Sequence, residues 1–295
     1  MPGRGSRTLG FVEIAAASLI WGSNGVIITV LPLSSYVIAF FRVTIASFTI
    51  ALGILASGRW GLFKPSYPKV NLIILGILLC LGWGLLFEAM KRLPVAEAVL
   101  LNYTAPVFVA LLATRFLGER ASRRTIAALI LSFAGIALIL FSDSSAAYER
   151  HLFGVLIGIS AGASYAVFVI LSKKAVARVN NYTLTLYSNL LASLFLAPGL
   201  VTLNQPPPAQ AWLLLITLGA MNTAFAVSLY FRGLQKVQAQ EAAVLTYLEP
   251  VSTALFGLLF LGQALKPAAI TGGALVLAGG YLVASRRQEE NQAAK

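Results

Sequence analysis

Glu97-Ala-Val-Leu-Leu-Asn-Tyr-Thr-Ala-Pro-Val107 recurs 144 residues later as Glu241-Ala-Ala-Val-Leu-Thr-Tyr-Leu-Glu-Pro-Val251. The register continues beyond the quoted run: Ala110, Leu111, Phe116, Leu117 and Gly118 are matched by Ala254, Leu255, Phe260, Leu261 and Gly262. At the same offset Trp21 falls opposite Tyr165, and Gly135 opposite Gly279. Apolar helices share scattered Ala and Leu by composition alone. Glu, Tyr, Pro and a closing Phe-Leu-Gly in register mark an internal repeat of about half the chain.

The sequence around the repeat is that of a membrane protein. Of 295 residues, 58% are hydrophobic and 11% charged, and the mean hydropathy is +0.83. Soluble domains carry about 25% charged residues, so a soluble enzyme is excluded. With about 20 apolar residues needed per crossing, there is room for roughly ten helices and no separate soluble domain. The spans read as 9–31, 34–57, 69–90, 94–115, 124–142, 152–172, 181–203, 211–231, 238–261 and 267–285, parted by Pro, Gly and Ser turns. The alternating pattern of a barrel is absent. One cysteine, Cys80, and one histidine, His151, exclude a disulfide framework and a Cys/His metal cluster. No cofactor is expected.

The net charge of +12 is a topological signal. Seventeen Lys and Arg fall on the side of the N-terminus and only Lys91, Arg92, Arg150 and Lys266 on the other, with Arg42 inside a span. By the positive-inside rule both termini are expected in the cytoplasm, and basic loops in contact with anionic lipid. Nucleic acid is not an expected partner. The expected organisation is an N-terminal tail (1–8), a five-helix repeat (9–142), an external linker (143–151), a second five-helix repeat (152–285) and a C-terminal tail (286–295). Five is odd, so the second copy enters from the opposite side. That gives an all-α integral membrane fold of two inverted repeats around a central cavity, the architecture of alternating access.

These residues resemble the drug/metabolite transporter superfamily, specifically its ten-helix EamA-type members, over essentially the whole chain. The resemblance is carried by Trp21-Gly-Ser-Asn24, Phe41-Arg42, Pro106…Phe116-Leu-Gly-Glu119-Arg120 and Glu249-Pro250…Phe260-Leu-Gly262. Asn102-Tyr103…Pro106 is also similar to the amino-acid exporter branch named YddG. The resemblance implies a secondary transporter exporting small metabolites, with two five-helix halves around a cavity. One departure is visible: family members commonly have an acidic residue after Phe-Leu-Gly in both copies, and Gln263 stands opposite Glu119. A symmetric carboxylate pair is thereby put in doubt.

Polar side chains at depth are expected to face the interior, because a charge in lipid costs at least about 2.5–3.5 kcal/mol. Arg42, roughly 12 Å into its helix, reads as a cavity cation for a substrate carboxylate, or as a structural partner of Glu88 or a carbonyl. Glu249, near the midplane before Pro250, reads as a site for an ammonium group or a proton, or as part of an internal salt bridge. Glu88 reads as a cavity carboxylate or a rim charge. Glu97 and Glu241 read as helix caps. Asn102, Tyr103 and Pro106 and their counterparts Tyr247 and Pro250 mark helix interruptions at a binding centre, or simple kinks. Asn24, Asn189 and Asn222 are further candidate polar lining. Trp21, Trp83, Tyr165 and Tyr230 join the two tyrosines as aromatic walls.

Aromatic walls with a cation and a carboxylate suit a zwitterion bearing an apolar side chain, such as a neutral or aromatic amino acid. The alternatives are an exporter of nucleosides or cationic drugs, or a channel or scaffold. A membrane enzyme has no support: HExxH, an aspartate-rich motif and an intramembrane His-Ser pair are missing, and the sole aspartate, Asp143, lies in a loop. A P-loop is also missing, so no ATPase subunit is implied. The expected setting is the bacterial inner membrane, with a monomer sufficient.

Overall fold

The computed structural model describes residues 4–65, 67–93, 95–119, 122–141, 152–203, 205–262, 264 and 267–292. Expectations for Asp143, His151, Gln263 and the linker 143–151, and for the Glu97 side chain, fall outside the described residues.

Among the described residues the fold is all-helical, with short 3-10 helices at Trp60–Phe63 and Ala197–Thr202 and ten main helical segments. They are α1 (Arg4–Val30), α2 (Ser35–Ala56), α3 (Lys69–Met90), α4 in two pieces (Val95–Asn102 and Ala105–Phe116) and α5 (Arg123–Phe141). The second half follows with α6 (Leu152–Val176), α7 (Asn181–Leu196), α8, α9 in two pieces (Ala239–Leu245 and Leu248–Leu261) and α10 (Pro267–Gln292). Helix α8 runs as Ala209–Ile216, a π-helical stretch Thr217–Phe225, and Ala226–Leu234. Eight segments are long and apolar enough to cross a membrane. α10 contributes a shorter apolar stretch, Ile270–Val283, and its helix runs on through most of what the sequence reads as a tail.

Local chemistry sets the ends. Ser34 caps α2 by accepting from the Val37 N–H, and Asn180 caps α7 by accepting from Tyr182 N–H. Gly118 and Gly262, the last residues of the repeated Phe-Leu-Gly, both have positive φ (68° and 65°). A left-handed turn after the helix favours glycine, which accounts for the motif being kept in both copies.

Packing reveals a pseudo-two-fold relation between the halves. Helix α1 packs on α9 as α6 packs on α4; α3 packs on α6 as α8 packs on α1; α2 packs on α8 as α7 packs on α3. Helices α2 and α7, α4 and α9, and α5 and α10 meet their own counterparts. The α5–α10 crossing is reciprocal at single-residue level. A Cβ on Gly135 would sit 2.4 Å from the Gly272 carbonyl oxygen, and one on Gly279 would sit 2.9 Å from that of Ala128. Gly135 and Gly279 are 144 residues apart, and so are Ala128 and Gly272, the mark of a self-complementary interface.

Candidate functional site

The repeated stretch forms the centre of the molecule. In both copies it is a helix broken in the middle: α4 is interrupted at Tyr103 and Thr104, and α9 at Thr246 and Tyr247. Pro106 and Pro250 sit in the first turn of the second piece, where a missing N–H costs nothing. The breaks face each other: the Tyr247 hydroxyl donates to the Tyr103 carbonyl at 2.8 Å, with the rings 6.1 Å apart.

Two opposite charges lie beside this crossing. Arg42 on α2 is 6% exposed. Its Nε donates to Thr223 Oγ1 at 2.7 Å, and its guanidinium lies 4.8 Å from the centre of the Trp83 ring. Its two terminal nitrogens have no partner among the described residues. Glu249 occupies the first turn of the second piece of α9, where the helix dipole favours a carboxylate. It is half-buried, with the Asn24 side chain beside its carboxylate. Arg42 and Glu249 act on each other electrostatically, but no ion pair closes one onto the other among the described residues. Tyr165 lies in the field of both, and Tyr103 in that of Glu249.

The π-helical stretch of α8 holds the neighbouring polar groups. Asn222 is 1% exposed. Its amide donates to Asn24 Oδ1 at 2.9 Å and lies 2.7 Å from Ser23 Oγ and 3.1 Å from the Ile20 carbonyl. Its own carbonyl accepts from Trp21 Nε1 at 2.8 Å, and the Trp21 ring packs 5.4 Å from that of Tyr230.

The chain matches the EamA-like transporter family over residues 8–141 and 152–285. It belongs to that family. An "Uncharacterized transporter" of the archaeon Archaeoglobus fulgidus is 32% identical over 216 residues, 73% of this chain and 76% of the relative. A "Probable terminal-alkyne amino-acid exporter" of Streptantibioticus cattleyicolor is 27% identical over 255 residues, covering 83% and 82%. One crystal structure superposes with a TM-score of 0.83 at 20% identity, over 98% of this chain and 100% of the other, which supports the fold alone.

This EamA-like transporter does not gather every sequence candidate at the centre. Trp21, Asn24, Arg42, Trp83, Tyr103, Pro106, Tyr165, Asn222, Tyr230, Tyr247, Glu249 and Pro250 lie on or next to the arrangement just described. Asn102 ends the first piece of α4, with its carbonyl against Gly162. Asn189 spends its amide within α7, donating to Thr185 O at 2.8 Å. Glu88 is not a partner of Arg42. It pairs with Lys91 and Arg92 at the end of its own helix, a third exposed, because the i+3 and i+4 cations lie closer than the interior.

Sequence reasoning missed Thr223, which carries no periodic signal, and a set of charges around the α8–α9 connection. That connection lies on the face of the molecule that bears the termini. Glu13 of α1, 3% exposed, pairs with Arg232 and Lys236. Arg7 pairs with Glu241, which also accepts from the Gln238 N–H to complete a helix cap, as expected of it. Glu119 accepts from the Ala239 N–H at 2.9 Å, and Lys173 of α6 donates to the carbonyls of Leu234 and Val237. The i, i+4 spacing of Arg232 and Lys236 opposite a lone Glu13 is the signal that was available. At the counterpart connection on the other face, the ion pairs of Lys91 and Arg92 among the described residues are with Glu88 of their own helix, and the two cations lie over the Tyr36 and Phe153 rings. Thr29 and Ile157 stand where Lys173 and Glu13 stand.

Proposed function

We propose that this EamA-like transporter exports small zwitterionic metabolites, foremost amino acids with neutral or aromatic side chains, by alternating access between its two inverted halves. The observation that carries the reading is the pair Arg42 and Glu249: opposite charges deep in the fold, each steadied by a neutral side chain and neither satisfied by the other. A buried, uncompensated charge is expensive, so a ligand that brings both counter-charges gains what the empty site lacks. The substrate carboxylate is received by the two terminal nitrogens of Arg42 in the bidentate geometry that guanidinium favours. The ammonium group is received by Glu249, and the side chain lies against Trp83, Tyr103 and Tyr165. The name of the Streptantibioticus cattleyicolor relative supports an amino-acid-like cargo.

The basic residues on the terminal face support cytoplasmic termini in a bacterial inner membrane, and the two halves in one chain support a monomer as the working unit. Glu249 is the carboxylate placed to carry a proton if export is gradient-driven. Uptake of radiolabelled amino acids into proteoliposomes, with and without a pH gradient, tests the reading. Saturable uptake of a neutral or aromatic amino acid, lost in Arg42→Gln, is expected. Uptake confined to nucleosides or organic cations would overturn the substrate class.

A further inference from the structure

Helix α8 carries a distortion that its counterpart lacks. Thr217–Phe225 is π-helical, whereas the stretch 144 residues earlier, 73–81, is regular α-helix within α3. A π turn is rare, persists where neighbours hold it, and recurs at functional positions. In a molecule built of two related halves, an element present in only one half stands out as a specialisation.

Two adjacent residues of this stretch face the two opposite charges of the site, Thr223 by direct contact with Arg42 and Asn222 through Asn24, the neighbour of Glu249. The Thr223 hydroxyl donates to the Leu218 carbonyl five residues back at 2.8 Å. The other helical Ser and Thr hydroxyls bonded to their own helix, such as those of Ser18, Ser47 and Thr185, reach three or four residues back. With its single proton committed, the Thr223 oxygen presents a lone pair to Arg42 Nε. Asn222 donates to Asn24 Oδ1, which leaves the Asn24 amide nitrogen as the group free to donate to the neighbouring Glu249 carboxylate. The Trp21 indole, donating to the Asn222 carbonyl, fixes the stretch against α1. Gly219 brings it against α2, because a Cβ there would sit 2.5 Å from Ile45 and 3.1 Å from the Arg42 carbonyl. The counterparts of Asn222 and Thr223 in the first half are Leu78 and Leu79, which offer neither donor nor acceptor.

The geometry points to Asn222 and Thr223 as positioning residues that set the separation of Arg42 from Glu249, and with it the spacing between carboxylate and ammonium in the ligand accepted. This rests on the zwitterion reading of the site given above. One rigid segment holding both charges acts as a caliper: it favours α-amino acids, whose two charged groups are one carbon apart, over β-homologues with an extra methylene between them.

The test pairs a ligand measurement with one that needs no ligand. Binding of phenylalanine and β-homophenylalanine to the purified protein is compared for wild type, Thr223→Val, Thr223→Ser and Asn222→Ala. Wild type and Thr223→Ser are expected to favour the α-compound by about tenfold, the equivalent of about 1.4 kcal/mol. Thr223→Val and Asn222→Ala are expected to reduce the preference to below about threefold, because the charge separation is no longer fixed. Independently, Thr223→Val, which retains the shape and loses the acceptor, is expected to change the tryptophan emission by releasing Arg42 from its place over Trp83. Thr223→Ser is expected not to, and the change is expected to vanish in a Trp83→Phe background. Unchanged emission together with an unchanged preference would overturn the positioning role. If Arg42→Gln binds phenylalanine as wild type does, the zwitterion reading falls, and the Trp83 emission still decides whether Thr223 holds Arg42.

Discussion

The Tyr247 hydroxyl donates to the main-chain oxygen of Tyr103, its own counterpart 144 residues earlier in the chain, at 2.8 Å. Two residues related by the pseudo-axis therefore touch across it, and the contact is one-sided: the Tyr247 hydroxyl is the donor. If the two halves exchange conformations during transport, the donor changes with them, and the Tyr103 hydroxyl donates to the Tyr247 carbonyl in the other state.

Tyr247→Phe and Tyr103→Phe should accordingly push the access equilibrium in opposite directions. Each loses one hydrogen bond in one state only, worth about 1 kcal/mol or about fivefold in population. Labelling of single cysteines introduced at each face, with a membrane-impermeant maleimide, reads the shift. Tyr247→Phe is expected to raise accessibility from the terminal face, and Tyr103→Phe to lower it or leave it unchanged.

The charge clamp at the α8–α9 connection gives a second expectation. Glu13→Gln leaves Arg232 and Lys236 without their carboxylate in a closely packed crossing, where Gly10 and Gly233 approach backbone to backbone. Arg232 is half exposed and water screens its share, so the loss is about 1–2 kcal/mol, less than for a fully buried pair. The same labelling assay is expected to show a more open terminal face, with little change at the other.

Burial raises the Glu119 carboxyl above the usual range, and the N–H groups of Ala239 and Gln240 together with the Lys173 charge offset only part of this, while Glu241 adds to it. The sign follows from linkage. A carboxyl that is harder to ionise in the closed arrangement than in water takes up a proton on closing. The contribution to closure is therefore complete below the usual carboxylate range, is lost as pH rises through the raised value, and does not change further above it. A pH series of labelling rates is expected to show this slope in wild type and to lose it in Glu119→Gln.

The reciprocal glycines of α5 and α10 predict a stability pattern. Gly135→Ala and Gly279→Ala place a methyl group against backbone oxygens, and the strain of about 1–3 kcal/mol should lower the melting temperature of the purified protein. At Gly53 of α2 an added methyl group would meet nothing within 4 Å, so Gly53→Ala should be neutral or mildly stabilising, by up to about 1 kcal/mol.

How much of this was legible in the sequence depends on the length scale of each feature. Span positions follow from long apolar runs, which backbone satisfaction in lipid forces into helices. The repeat was visible because Pro106 and Pro250, and Gly118 and Gly262, are each tied to a backbone requirement that both halves share, and because Tyr103 and Tyr247 meet at the pseudo-axis. Depth and charge singled out Arg42 and Glu249. The π turn was not legible, since nothing in Thr217–Phe225 breaks helical periodicity, and Thr223 became visible only once α2 and α8 were packed together. Glu88 lies at the rim for a related reason: its partners Lys91 and Arg92 are local, and local pairing takes precedence over a distant cation.

The uneven distribution of charge between the two faces has an energetic consequence. A carrier made of two equal halves turned over would wait on either side of the membrane for equal times. Here Glu13 and Lys173 bind neighbouring elements together on the terminal face, while Ile157 and Thr29, in the corresponding places, carry no charge. If the halves alternate in access, the empty carrier is expected to favour the arrangement in which these contacts are made. Such a bias moves no equilibrium, because a catalyst alters only the route, but it sets which half of the cycle is slow. Salt on the terminal side, by weakening the clamp, is then expected to change turnover, and with it the apparent affinity seen from each face.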